Sequence, residues 1–278
     1  MPTFRHTRHP RLLFNPQALC YNPPDMARYR VGLIVALDFP TLGEAVAVAE
    51  KLAGGAPPAG PSTALRAGPV AMFKVGLELF SAEGPAALRA ISDIGGPVFY
   101  DSKLHDIPNT VAGAAAAITA ARVAMFNVHA AGGAAMMEAA ARAAAQKAAE
   151  LHAQRPLVLG VTVLTSVDEE GLRDMGVARP MREQVVALAQ AAQAAGLDGV
   201  IASPREIADV KQACGRGFLV VTPGIRPAWA ALGDQKRVMT PSEAAQAGAD
   251  YIVVGRPITR APNPAEAVER IAQELAAA

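Results

Sequence analysis

Gly96-Pro97-Val98-Phe99-Tyr100-Asp101-Ser102-Lys103-Leu104-His105-Asp106-Ile107-Pro108-Asn109-Thr110 begins as an apolar strand and ends as the first turn of a helix, for which Pro108 is well suited. Between those two regimes lie Asp101, Lys103 and Asp106. Side chains two apart on a strand share a face, so Asp101 and Lys103 are expected side by side. Asp106 falls past the strand end, where it can turn back on the same space or reach into a neighbouring molecule. Charges beside a buried strand are costly unless paired. A carboxylate–ammonium–carboxylate cluster keeps the lysine protonated and the acids ionised, which makes a poised proton donor.

The same rhythm extends in both directions. Apolar runs at 31–38, 70–77, 123–129, 157–164, 199–202, 218–222 and 251–255 accompany the strand quoted above. Helical patterns follow at 41–53, 81–93, 108–120, 133–151, 182–195, 204–213, 241–247 and 264–276. Each strand is apolar enough to be covered on both faces, as in a parallel sheet. From residue 31 onward the length matches the ~250 residues of a (β/α)8 TIM barrel. The alternative, a doubly wound open sheet, wants a glycine-rich turn after its first strand. That turn is Asp38-Phe39-Pro40-Thr41, so the barrel is preferred. The expected organisation is a single α/β domain over 31–278 with an N-terminal extension, 1–30, of no assigned role. Residues 54–69, rich in Gly, Pro and Ala, read as an insertion on the bottom face.

Composition narrows the function. Net charge is +1 and charged residues make up 18%, which gives no nucleic-acid footprint. No run is long and apolar enough to span a bilayer. The extension carries Arg5, His6, Arg8, His9 and Arg11 but no apolar core of a secretory signal, and its prolines oppose a targeting helix. Cys20 and Cys214 sit in unrelated contexts and read as reduced thiols of a cytoplasmic protein.

In such a barrel the C-terminal strand ends form the active-site face. They offer Asp38, Lys74, Asp101, Lys103, Asp106, Asn127, His129, Thr162, Thr165, Thr222 and Arg256. Lys74, mid-strand between Phe73 and Val75, needs an acid, either Asp38 or Asp101, and an alternating network Asp38–Lys74–Asp101–Lys103 is expected. Plainer readings exist: Asp38 as a helix cap, Lys74 snorkelling outward, Thr165 with Ser166 in a turn, His129 as a satisfied core residue. Thr222-Pro223-Gly224-Ile225-Arg226 and Gly255-Arg256-Pro257-Ile258 follow strands seven and eight, where barrels of this class hold phosphate. The residues therefore describe a phosphorylated small molecule opposite an Asp/Lys cluster. Aldolase, isomerase and decarboxylase chemistry all remain open. Acids flanking Lys103 favour proton donation over imine formation.

Val35-Ala36-Leu37-Asp38, Phe73-Lys74-Val75-Gly76, residues 101–110, Asn127-Val128-His129-Ala130, residues 161–166, residues 222–226 and Val254-Gly255-Arg256-Pro257-Ile258 resemble, in order, the orotidine 5'-phosphate decarboxylase family. The resemblance covers everything but the extension. It implies decarboxylation of orotidine 5'-monophosphate to uridine 5'-monophosphate, without metal or organic cofactor, by a homodimer. By resemblance, Asp38 meets the ribose and Lys74 links it to Asp101. Asp101 faces the departing carboxylate, and Lys103 protonates the carbon left behind. Asp106 and Thr110 complete the partner's site. Thr165 contacts the pyrimidine, while Arg226, Gln235, Gly255 and Arg256 surround the phosphate. Ser102 departs from the pattern, which usually has an apolar residue there, and by alternation it should face away from the charges. Sugar-phosphate decarboxylases and a hexulose-phosphate synthase share Asp-x-Lys-x-x-Asp. They resemble the chain less, since they use magnesium with a glutamate in the region of Lys74. A catalytically dead scaffold would be expected to have a damaged cluster, and this one is intact.

Overall fold

A computed structural model describes residues 31–53, 69–230 and 239–278. The extension 1–30, residues 54–68 of the insertion, Cys20 and Gln235 lie outside the described residues. The first half runs β1 (Gly32–Ala36), α1 (Leu42–Leu52), β2 (Val70–Val75), α2 (Leu77–Glu83), α3 (Pro85–Asp93), β3 (Val98–Leu104), α4 (Pro108–Ala120), β4 (Met125–His129) and α5 (Ala134–Glu150). The second half runs β5 (Leu157–Val161), α6 (Glu169–Asp174), α7 (Met181–Ala194), β6 (Gly199–Ile201), α8 (Ile207–Cys214) and β7 (Leu219–Thr222). It ends with α9 (Pro241–Ala247), β8 (Tyr251–Val254), α10 (Arg256–Thr259) and α11 (Pro264–Ala276). The strands are all parallel and close as β1-β2-β3-β4-β5-β6-β7-β8, the (β/α)8 barrel expected from the strand–helix rhythm.

Strand alternation divides the apolar residues between two cores. Ile34, Ala36, Met72, Phe99, Met125, Leu159, Val221 and Val253 fill the barrel, while Leu33, Val35, Phe73, Val75, Phe126 and Val128 pack outward against the helices. One step further along four inward-facing columns, the residue type changes from apolar to polar. Ala36 is followed by Asp38, Met72 by Lys74, Phe99 by Asp101 and Met125 by Asn127. The site therefore lies directly on top of the barrel's plug. At the opposite mouth the charges tie strands together. Arg155 pairs with Asp198, which also accepts from Val158 N, and Lys211 pairs with Asp250, which accepts from Val220 N.

The helix expected at 81–93 is two helices. Gly84 adopts φ 62°, and Pro85, which has no N–H to continue the first helix, starts the second. Helix α6, which the strand–helix rhythm of the sequence does not mark, is short and capped by Asp168, which accepts from Gly171 N. The pattern at 204–213 opens with a 3₁₀ turn at Pro204–Glu206 before α8. Among the described residues no helix is long and apolar enough to cross a membrane.

Candidate active site

Thr41, not Asp38, caps α1, its hydroxyl accepting from Glu44 N. The cap reading of Asp38 therefore gives way to the paired one: Asp38 Oδ1 accepts from Lys74 Nζ at 2.8 Å. The same ammonium lies 3.4 Å from Asp101 Oδ2, and Asp101 Oδ1 accepts from Lys103 Nζ at 2.6 Å. The Asp38–Lys74–Asp101–Lys103 network is thus continuous. Lys74 is 7% exposed, which rules out the snorkelling alternative. Its burial works against the charge, but Asp101 and Asp38 overcome this and hold its pKa above the ordinary 10.5. Burial likewise opposes ionisation of Asp101, and Lys74, Lys103 and a hydrogen bond from Asn127 outweigh it, so its carboxyl titrates below 3.8. Burial, with Asp101 next in size, pushes the Tyr100 phenol up to about 12. His129 is half-buried, its ring 5.3 Å from that of His105. Burial, then His105 and Lys103, lower its pKa below 6.5.

Two backbone features shape this network. Gly76 lies directly over the first ion pair, and a Cβ there would stand 2.8 Å from both Asp38 Oδ1 and Lys74 Nζ. Lys103 has φ 47°, a left-handed conformation in a β-strand residue that bears a long side chain. Such a conformation costs about 1–3 kcal/mol and persists only where the surroundings enforce it. The β3–β4 register breaks at this point, between Tyr100 and Leu104. Ser102 is buried and takes no part in the ion network. Its hydroxyl donates to the Asn127 carbonyl at 2.8 Å, so the departure at this position adds an interstrand hydrogen bond rather than only altering packing.

The remaining candidates are spread around the same mouth. Asp106 does not turn back into the network; it is exposed, and its carboxylate accepts from Ile107 N at 2.6 Å. Thr110 is exposed in the first turn of α4, beside Ile107, which is 66% exposed. Thr165 is half-buried in the turn that Val167 N closes on Leu164 O. Thr162 lies below it, buried, its hydroxyl donating to Ile201 O on β6. Gly255 is the N-cap of α10 and Arg256 its exposed first residue, so a short helix does start where the phosphate reading placed one. Arg226 is buried; its N–H donates to Met239 O, and its guanidinium reaches Ile225 O at 3.3 Å. Sequence reasoning did not find the roles of Gly76 and Asn127. Gly76 sits two residues beyond Lys74 on the same face, which is the signal that would have found it.

Comparisons with known proteins converge on one family. A family model for orotidine 5'-phosphate decarboxylase / HUMPS matches residues 61–271. An orotidine 5'-phosphate decarboxylase from Moorella thermoacetica is 52% identical over 87% of this chain and 91% of its own length. One from Syntrophotalea carbinolica is 54% identical over 76% and 86% respectively. The crystal structure of orotidine 5'-phosphate decarboxylase from Lactobacillus acidophilus is 36% identical and superimposes with a TM-score of 0.74, covering 88% of this chain and 99% of that one. On the extent of that match and the identity of these relatives, the chain belongs to the orotidine 5'-phosphate decarboxylase / HUMPS family.

Proposed function

We propose that the barrel formed from residue 31 onward decarboxylates orotidine 5'-monophosphate to uridine 5'-monophosphate and carbon dioxide, a step of pyrimidine biosynthesis. The observation that carries this reading is the continuous Asp38–Lys74–Asp101–Lys103 network at the barrel mouth. The C6–carboxylate bond breaks and leaves its electron pair on C6 of the pyrimidine. A fixed ammonium beside that carbon stabilises the developing charge, and such preorganised stabilisation is typically the largest contribution to catalysis. Lys103, held by Asp101 and about a quarter exposed, then delivers its proton to C6.

Asp101 faces the carboxylate that leaves, and Lys74 keeps Asp101 ionised while orienting Asp38 on the ribose. Thr165 contacts the base, and Arg226, Gln235, Gly255 and Arg256 surround the phosphate, whose binding energy is applied at the reacting centre. Two chains pair, with Asp106 and Thr110 of each completing the other's site; the outward turn of Asp106 and the exposed Ile107 support this. The reaction needs no metal or organic cofactor, and the enzyme works in the cytoplasm without nucleic-acid or membrane partners.

The test is a spectrophotometric assay of purified protein with orotidine 5'-monophosphate, with and without a chelator. Loss of the orotate-type absorbance, unchanged by chelator, is the expected result. No turnover, together with magnesium-dependent decarboxylation of a 3-keto sugar phosphate, would move the chain to the other branch of its family.

A further inference from the structure

Asn127 on β4 is wholly buried, yet both ends of its amide are used. Its Oδ1 accepts from the backbone N–H of Lys103 at 2.6 Å, and its Nδ2 donates to Asp101 Oδ1 at 2.7 Å. Chemistry alone orients the amide: a backbone N–H can only donate, and an ionised carboxylate can only accept. The Asp101 oxygen it holds is the one that accepts from Lys103 Nζ. One side chain thus grips both the carboxylate and the backbone of the two residues that flank Ser102.

We propose that Asn127 is the positioning residue of the ion network, holding Lys103 in its left-handed conformation and fixing the Asp101 carboxylate against the two lysines. This rests on the reading of Asp101 and Lys103 as the reacting pair, and Asn127 acts through them. Across the break in the β3–β4 register, side chains take over the strand contacts. Asn127 Oδ1 receives the Lys103 N–H, and Ser102 Oγ donates to the Asn127 carbonyl. With Asn127 removed, the Lys103 N–H loses its buried acceptor, the constraint on φ 47° is lifted, and the ammonium moves off Asp101. Few residues can substitute. Aspartate can accept from Lys103 N–H but sets a second carboxylate against Asp101. Leucine offers neither end, and serine is too short to span both partners.

The test compares Asn127→Ala and the isosteric Asn127→Asp with the unaltered chain, using steady-state kinetics across pH and a ¹³C-carboxyl NMR titration of Asp101 in the ligand-free protein. Asn127→Ala is expected to lower kcat on the order of 10²-fold, since small misplacements of reacting groups have effects of that size, while KM changes only a few-fold. The Asp101 titration should move to higher pH in both variants, because a hydrogen bond to its ionised form is lost. Asn127→Asp should regain part of its activity towards acidic pH, where the paired carboxylates share a proton. A purely structural role would lower thermal stability and leave the Asp101 titration and the pH profile unmoved. That result, or a kcat for Asn127→Ala within a few-fold of the unaltered enzyme, would overturn the proposal. If Asn127→Ala fails to fold, the aspartate variant decides alone. If the unaltered chain itself does not turn over orotidine 5'-monophosphate, the functional reading has failed, and the NMR titration still decides whether Asn127 holds Asp101.

Discussion

Replacing Gly76 with alanine tests whether the Asp38–Lys74 pair must be held in its observed geometry. Gly76 has φ −97° and ψ −174°, extended backbone open to any residue, so an added methyl introduces no backbone strain. What it does introduce is a Cβ 2.8 Å from both Asp38 Oδ1 and Lys74 Nζ, where ordinary contact begins at 3.4 Å. Both groups are the free ends of flexible side chains and can retreat, but doing so pulls apart a 2.8 Å ion pair. Asp38 is half-exposed, so the lost pairing is worth about 1 kcal/mol or less. Gly76 is also the N-cap of α2, where alanine is poorer than glycine by roughly 0.5–1 kcal/mol. The expected loss of stability is therefore about 0.5–2 kcal/mol, or ~1–8 °C in Tm for a domain of this size. The loss of activity should be disproportionate. Displacing Lys74 and Asp38 by about half an ångström or more disturbs the electrostatic support of Asp101 and the ribose contact proposed for Asp38, and kcat/KM should fall on the order of 10²-fold. Calorimetry, far-ultraviolet circular dichroism and the decarboxylation assay read these together. A folded alanine variant with unaltered kcat/KM would refute the reasoning, because the pair would then tolerate a wedge between its members.

Other expectations follow from the same structure. Lys103→Ala should abolish turnover while the folded protein still binds uridine 5'-monophosphate. Mixing it with Asp106→Ala should restore part of the activity through hybrid dimers, and no recovery after verified subunit exchange would exclude shared sites. Asp101 titrates below 3.8 in the folded state, so its stabilisation is complete above that value and is lost as pH falls through the folded pKa. Acid unfolding curves should accordingly be shallower below pH ~4 for Asp101→Asn, and curves parallel to those of the unaltered chain would contradict the assignment. Gly199→Ala would place a Cβ 2.3 Å from the backbone oxygen of Leu219, which cannot move without separating β6 from β7. It should cost more than ~3 kcal/mol in urea unfolding, whereas Gly43→Ala in α1, with open space around it, should stabilise by up to ~1 kcal/mol.

The sequence was sufficient for the barrel because its information is periodic and local. Apolar runs alternate with helical patterns, and inward columns such as Met72–Lys74 and Phe99–Asp101 change from apolar to charged at one level. A buried lysine must find acids, so the alternating network could be written down before any coordinates. The break between α2 and α3 is also legible in the sequence, in Gly84-Pro85. Only the tertiary structure could settle choices made between strands. Asp38 sits equally well, on local grounds, as a cap or as a partner, and the placement of β1 beside β2 decides it by bringing Lys74 within 2.8 Å. The φ of Lys103 and the two-ended grip of Asn127 arise from a register break between β3 and β4, and register is a property of the pair, carried by neither strand alone.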